Sequence, residues 1–477
     1  MKYYDRLYGE LKFPSIIIEL LNCPGLLRLR DVRMANNQFV AFPAFANSSR
    51  YEHSLGVCYL GGVCAKSLEL SEKETIELMI ACLYHDVGTP PFAHAMEEVL
   101  QAHFNFDHEE NMRQIINGTN GTIEGNLEQV FLGATTKLRS ICHSKQGRKV
   151  GLDLHSLYRI ADIIVGKSGE VLSPLLNGNG MDLDNIDNVI RASSAMGIIN
   201  SQETCLAVRL AQSFMFNEKN EICHNGIYLN DIRRWQTIRD EQYTAIFESV
   251  DDFAYQTMIK KAISLLLSDV DAKLLLSKDS WKLTDSSILY KYLLESPACK
   301  KIMDRVQLCK PFQCIGILYI SGNGVSKYIN THLSEIENVA SEFFKNVLEL
   351  EDSDDKIKNL STNVVVANFY PDKRQRPIYS KALCMGKEVF IDEPNPNKSD
   401  GALLGLFTPL HNSNHKAIKD GDGNSIRTKV SFRQKDLENL ISQLKKHVFH
   451  HYDISIYRRK RNDGHNPKIT GNQLGLF

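Results

Sequence analysis

The chain has 477 residues, 43% of them hydrophobic and 24% charged, with a formal net charge of −1. That length is too great for one ordinary hydrophobic core, so more than one lobe is expected. The balanced charge supplies no global basic field, and nucleic acid is therefore not an expected partner.

No apolar run is long enough for a signal peptide or a membrane span, so a cytoplasmic protein without a membrane partner is expected. The 11 cysteines are scattered and form no C-x-x-C pair, which fits reduced, mostly buried thiols rather than a zinc or redox site. In chain order, Ile16–Leu21 reads as a short apolar helix. It is followed by Leu26-Leu-Arg28-Leu-Arg30, whose two arginines at i, i+2 face different ways. From Arg50 the pattern is helical, with Leu55, Tyr59, Gly62 and Val63 on one face and His53 at its start. Ser71-Glu-Lys-Glu74 reads as a capping box opening a second helix that runs into His85-Asp86, and Gly88-Thr-Pro-Pro91 ends it. A third helix is predicted from Phe92 to about Phe104.

Asn117–Thr122 reads as a loop, residues 127–166 as helices, and the stretch after Gly180 as a helix carrying Asp184, Asp187, Asn188 and Arg191 on one face. Such a polar stripe fits either a helix lining a polar cleft or, by default, a surface helix. Residues 230–297 read as helical throughout. Beyond Pro311, Cys314–Ile320, Asn363–Phe369 and Glu388–Ile391 read as strands, with helices at about 330–349 and 434–451. Glu351–Asp355 and Asp392–Gly401 read as loops, and Tyr457-Arg-Arg-Lys-Arg461 as a short basic run. The fold class is thus mostly α: a helical domain over 1–310, and a smaller C-terminal α+β lobe over 311–477.

Residues 50–109 concentrate the chemistry: Arg50-Tyr-Glu-His53, His85-Asp86, His94 with Glu97 a turn later, and His108-Glu109. A lone histidine on an apolar helix is ordinarily a hydrogen-bonded core residue. Several near helix ends, one joined to aspartate, suit a divalent ion with nitrogen and oxygen ligands: iron, manganese, magnesium or zinc, as one ion or two. Such an ion can lower the pKa of a bound water, and the remaining histidines and glutamates could transfer protons.

These residues resemble the H…HD…D signature of the HD-domain phosphohydrolases. The wider text is similar to the deoxynucleoside triphosphate triphosphohydrolase branch: Arg28-Leu-Arg30, Phe42-Pro, Arg50–Gly56, His85-Asp-Val-Gly88, Pro91–His94 and Asn179–Asp184…Arg191. That branch includes bacterial dGTPases and an animal enzyme with a sterile-alpha-motif domain, of which this sequence shows no counterpart. The resemblance implies a helical HD core, with the metal region at about 50–200, and a C-terminal lobe for regulation or oligomerisation. It implies His53, His85, Asp86 and Asp184 as metal ligands, with Asp182 and Asp187 rejected. His94 would protonate the leaving 5′ oxygen, assisted by Glu97, His108 and Glu109. Arg50, Asn188 and Tyr243 would contact substrate, and Arg28 and Arg30 a regulatory nucleotide. The implied reaction cleaves a dNTP, dGTP first by analogy, to deoxynucleoside and inorganic triphosphate. The implied partners are an activating nucleotide and further copies of the chain, as a dimer or tetramer, and a role in anti-phage defence follows from the same analogy.

Several positions depart from the family pattern. Thr89 replaces a histidine; Asn185, Asn188 and Ala192 replace a lysine, a tyrosine and an aspartate; Met34 replaces a sugar-reading glutamine; and Asn22 replaces an activator-site aspartate. The alternatives are an HD phosphohydrolase or phosphodiesterase acting on another nucleotide or on single-stranded nucleic acid, and a catalytically silent nucleotide-binding regulator.

Overall fold

A computed structural model describes residues 2–35, 41–117, 137–178, 180–268, 278–347, 364–374, 377–392, 400–409, 418–419, 425–426 and 434–457. The expected loops at 118–122, 351–355 and 393–399 and the basic run after Tyr457 fall outside these residues.

The helical part is built from the signals the sequence carries. The helix Arg50–Ser67 starts on Ser49, whose hydroxyl accepts from Glu52 N at 3.3 Å. The helix Glu72–Tyr84 opens with the reciprocal Ser71/Glu74 capping box. The two pack closely, and their apolar faces, including Val57, Leu60, Leu78, Ile80 and Leu83, are buried in the main core. Short helices His94–Phe104 and His108–Asn117 follow, then Leu154–Val165, which closes on the Glu72–Tyr84 helix. The helix Leu183–Ala195 is capped by Asp182 and lies across Arg50–Ser67. Residues 230–297 are not helical throughout. Helices Leu229–Glu248 and Val250–Ser268 break at Ser249, and a π-helical stretch occupies Ser287–Leu293.

The C-terminal part holds a four-stranded antiparallel sheet in the order Asp453–Ile456, Gln313–Ser321, Gly401–Thr408, Val366–Pro371. Helices Leu333–Val347 and Gln434–His447 contribute Ile336, Phe344, Leu440 and Leu444 to its own apolar cluster. Strand Gly401–Thr408 is not among those the sequence reading proposes. It is buried on both faces, so its residues form a continuous apolar run without alternation.

A second sheet crosses between the two parts. Strand Ile222–Asn225 pairs in parallel with Lys381–Cys384, flanked by Phe214–Phe216 and Lys387–Phe390. Helix Val250–Ser268 is another bridge. Phe253 packs on Tyr370 and Phe407, and Lys261 reaches Glu337 at 3.0 Å. Gly405 makes this packing possible, since a Cβ there would sit 2.6 Å from Phe253. No described helix is long and apolar enough to cross a membrane.

Candidate metal centre

His53, His85, Asp86 and Asp184 come from three separate segments and converge. His53 lies in the first turn of its helix, His85 at the C-cap of the next, and Asp184 in the first turn of Leu183–Ala195. His53 Nε2 is 2.8 Å from Asp184 Oδ1 and 3.9 Å from Asp86 Oδ2; His85 Nε2 is 3.5 Å from Asp86 Oδ2 and 3.6 Å from Asp184 Oδ1. His53, His85 and Asp86 offer ligand atoms that all lie within 4.8 Å of one another. Ligands held about 2.0–2.2 Å from one divalent ion are separated by about 3–3.5 Å, which is close to these spacings.

Two observations test whether a cation fits. His85 Nδ1 donates to Cys82 O at 2.7 Å, so in the neutral ring its Nε2 carries the lone pair, and that buried nitrogen has no hydrogen-bond partner among the described residues. His53 sits between two carboxylates, Asp184 on Nε2 and Asp187 on Nδ1 at 2.7 Å. Burial works against a charged imidazole, but hydrogen bonds to Asp184 and Asp187 outweigh it and raise the His53 pKa to about 9. Asp86 and Asp184 are held well below the usual carboxylate range despite burial, Asp86 chiefly by Arg50 and then the histidines, Asp184 chiefly by its hydrogen bond to His53 and then by the neighbouring His85. The cluster is a place for positive charge, with one imidazole nitrogen already bare.

The surrounding residues fix these four. Arg50 Nη1 donates to both oxygens of Asp86 at 2.7 Å, and its buried Nε has no hydrogen-bond partner among the described residues. Thr89, which stands where the family pattern has histidine, donates its hydroxyl to Asp86 Oδ1 at 2.8 Å. The turn that follows is strained. Phe92 and Ala93 take φ of 55° and 45°, unusual for side-chain-bearing residues, immediately before the helix that begins at His94. Buried Asp285 holds this turn by accepting Phe92 N at 2.8 Å, and its other oxygen accepts Arg33 N at 2.9 Å. Burial pushes Asp285 up to about 6.

Two expectations need correction. Arg28 does not face a nucleotide site at the surface. It is buried, and its two Nη atoms donate to the carbonyls of Trp281, Leu283, Val87 and Thr89 at 2.8–3.2 Å. The helix carrying Asp184 is not a plain surface helix, since Asp187 and Arg191 on its polar stripe are fully buried. Arg30 is exposed and lies over the Tyr51 ring.

The remaining site residues are placed as follows. Glu97 is half-buried, a turn into the His94 helix; Glu109 is exposed at the start of the next helix; and the side chains of His94 and His108 lie outside the described part. Asn188 is exposed, one turn beyond Asp184, and Tyr243 is half-buried with its ring 6.1 Å from Phe247. Glu109, Asn188 and Tyr243 are not hydrogen-bonded to the four donors among the described residues. The sequence reading passed over Asp285 and the burial of Asp187 and Arg191. Leu283-Thr-Asp285 carries no periodic signal, and a charged stripe on a helix reads the same whether a partner covers it or water does.

Residues 50–163 match the HD domain family, so the chain carries an HD domain, the unit of metal-dependent phosphohydrolases. The chain has similarity to deoxynucleoside triphosphate triphosphohydrolases. It is 33% identical over 123 residues to the SAMHD1 homolog of Dictyostelium discoideum, covering 24% of each chain. It is 24% identical over 353 residues to human SAMHD1, covering 65% of this chain and 54% of that one. The chain thus spans about a quarter and about half of these relatives' lengths. A crystal structure of a hypothetical protein from Aquifex aeolicus shares the fold, with a TM-score of 0.55 and 17% identity over 86% of this chain and 96% of that one.

Proposed function

We propose that the protein is a metal-dependent dNTP triphosphohydrolase that releases deoxynucleoside and inorganic triphosphate. The observation that carries the reading is the convergence of His53 Nε2, His85 Nε2, Asp86 Oδ2 and Asp184 Oδ1 around one point, beside an arginine with a buried unused N–H. These four residues would hold the ion. When bound, it supplies Lewis acidity toward a phosphate oxygen and lowers the pKa of a water.

The chain's own groups do the rest. Arg50 balances Asp86 and offers its free Nε to a phosphate oxygen, a charge-assisted contact suited to a polyanion. Thr89 holds the Asp86 carboxylate in place. The strained Phe92–Ala93 turn fixes where the His94 helix begins, and His94 serves as the acid for the departing 5′ oxygen with Glu97 one turn on. Phosphoryl transfer asks for positioning and charge neutralisation more than covalent chemistry, which suits this set. His108 and Glu109 complete the proposed acid–base set, and Asn188 and Tyr243 the substrate contacts. An activating nucleotide, with Arg30 as its contact, assembly into dimers or tetramers, a dGTP preference and anti-phage use belong to the same proposal.

A second reading, an HD phosphohydrolase acting on a different nucleotide, is favoured by one feature. Met34 packs against a small apolar cluster of Ala35, Phe45 and Ala192, so two positions at which the family pattern has a sugar-reading glutamine and an aspartate meet as an apolar patch. Incubation with Mn²⁺ and each dNTP, singly and in pairs, followed by chromatography separates the readings. Deoxynucleoside plus intact triphosphate is expected. Release of monophosphate or orthophosphate supports the second reading. Full activity in a His85→Ala, Asp86→Ala variant would remove the metal assignment.

A further inference from the structure

Behind His53, away from the ligand cluster, lies a set of fully buried charges. Asp187 Oδ1 accepts from His53 Nδ1 at 2.7 Å and from Arg191 Nε at 2.8 Å; Oδ2 accepts from Tyr8 Oη at 2.7 Å and Arg191 Nη2 at 3.0 Å. Arg191 Nη1 reaches Asp5 Oδ2 at 2.9 Å, and the side chains of Asp5, Asp187 and Arg191 are all 0% exposed. Asp5 and Tyr8 belong to the hairpin of strands Tyr3–Asp5 and Gly9–Leu11, which sequence alone left unassigned. Gly56 is the floor of the cluster: a Cβ there would lie 2.2 Å from Asp187 Oδ2 and 2.3 Å from Arg191 Nη2.

We propose that Asp187 is a positioning residue for the metal centre, and that the N-terminal hairpin acts on the site by holding Asp187 through Tyr8 and through Asp5 on Arg191. The inference rests on the metal reading above. A carboxylate only accepts hydrogen bonds, so His53 Nδ1 donates to Asp187, and Nε2 is the ring atom that faces Asp184 and Asp86, where a bound ion would replace its proton. The donors from Tyr8 and Arg191 leave the Asp187 carboxylate no freedom to turn, so the imidazole plane is fixed as well as its tautomer. A carboxylate on the far nitrogen of a ligating histidine raises its basicity and orients it, and losing such a partner commonly lowers metal affinity about 10–100-fold. Stability is a poor explanation for the cluster, because well-packed apolar side chains in place of a buried ion pair are often no less stable.

The test uses the full chain, freed of metal with a chelator, and Mn²⁺ binding measured by calorimetry on wild type, Asp187→Asn, Tyr8→Phe and Asp5→Asn. Thermal melting of the metal-free proteins and imidazole ¹⁵N shifts accompany it. Expected is a loss of Mn²⁺ affinity of about 10–100-fold in Asp187→Asn and a smaller loss in Tyr8→Phe and Asp5→Asn. Recorded above about pH 9, where the metal-free imidazole is neutral, the shifts should show a mixture of His53 tautomers replacing a single Nδ1–H form. Should Asp187→Asn not fold, the Tyr8→Phe and Asp5→Asn affinities decide. Variants that melt lower but bind Mn²⁺ like wild type with an unchanged His53 spectrum would reduce the cluster to a structural staple and overturn the proposal. Wild type that binds no Mn²⁺, with the His53 Nδ1–H form still lost in Asp187→Asn, would instead bring down the metal reading.

Discussion

The two histidines of the candidate centre are oriented by different means. His85 is held locally: its Nδ1 donates to Cys82 O three residues back, and the neighbouring Asp86 accepts from Thr89 three residues on. His53 is held from a distance, by Asp187 on another helix and, behind that, by Tyr8 and Asp5 of the N-terminal hairpin. The local side is itself braced from afar at the backbone, where Arg28 ties Val87 and Thr89 to Trp281 and Leu283 and Asp285 ties Phe92 to Arg33. One ligand thus depends on side-chain charge pairing, and the other on the shape of a turn.

That contrast can be broken at several points. The largest effect is expected from Arg28→Ala. It leaves four buried carbonyls without their donor, and a loss on the order of 4 kcal/mol in denaturant unfolding should follow. A variant as stable as wild type would show that the turn needs no brace.

A third buried histidine gives a reference environment without carboxylates. His224 donates from Nδ1 to Ser213 Oγ at 2.9 Å, since that hydroxyl already donates to Leu210 O. Burial alone lowers its pKa to about 4. Between that value and the unfolded pKa of about 6.5, only the unfolded chain binds the proton. Stability should therefore fall by up to about 3 kcal/mol as pH drops through this window. The comparison is denaturant unfolding at several pH values for wild type and His224→Gln. A variant with the same acid slope would assign the loss to other groups.

On the His53 side, Gly56→Ala forces a Cβ against Asp187 and Arg191, with an overpacking cost of about 1–3 kcal/mol. Gly62→Ala is its control, because there the Cβ would meet only Met79 Cε and Sδ at 3.3 Å, the end of a flexible side chain. Calorimetric Mn²⁺ titration should show weakened binding in the first and none of that loss in the second; equal affinities would uncouple His53 from the cluster behind it. The smallest effect is expected from Thr89→Val, which removes one hydroxyl from Asp86 while Arg50 still holds that carboxylate. About 1 kcal/mol, seen as a few-fold loss in Mn²⁺ affinity, is the expected size. A loss as large as that of Asp187→Asn would mean that both sides are held by single side-chain contacts.

The sequence was informative where the signal was local. Ser71 with Glu74 marks a helix start, the Gly-Thr-Pro-Pro run marks the end of a helix after His85-Asp86, and the strand at Gln313–Ser321 shows in its β-branched and aromatic residues. Four ligand candidates were readable because each stands near a helix end in a recognisable text. What was not readable depended on partners far along the chain. Arg28 reads as a contact for a nucleotide until Trp281 and Leu283 cover it, and Asp187 as a rejected neighbour of Asp184 until Tyr8 and Arg191 close over it. Strand Gly401–Thr408 was hidden for a related reason, its burial on both faces erasing the alternation.

The sequence by itself therefore determined which residues have the chemistry for a metal and a phosphate, because residue type and spacing along a helix are local properties. Only the tertiary structure decided which carboxylates surround the ligand point and which stand behind a ligand to aim it. A charged side chain has the same appearance in sequence whether its partner is water, a carbonyl 250 residues away or a histidine on another helix. Its burial and its partner arise only when the segments pack.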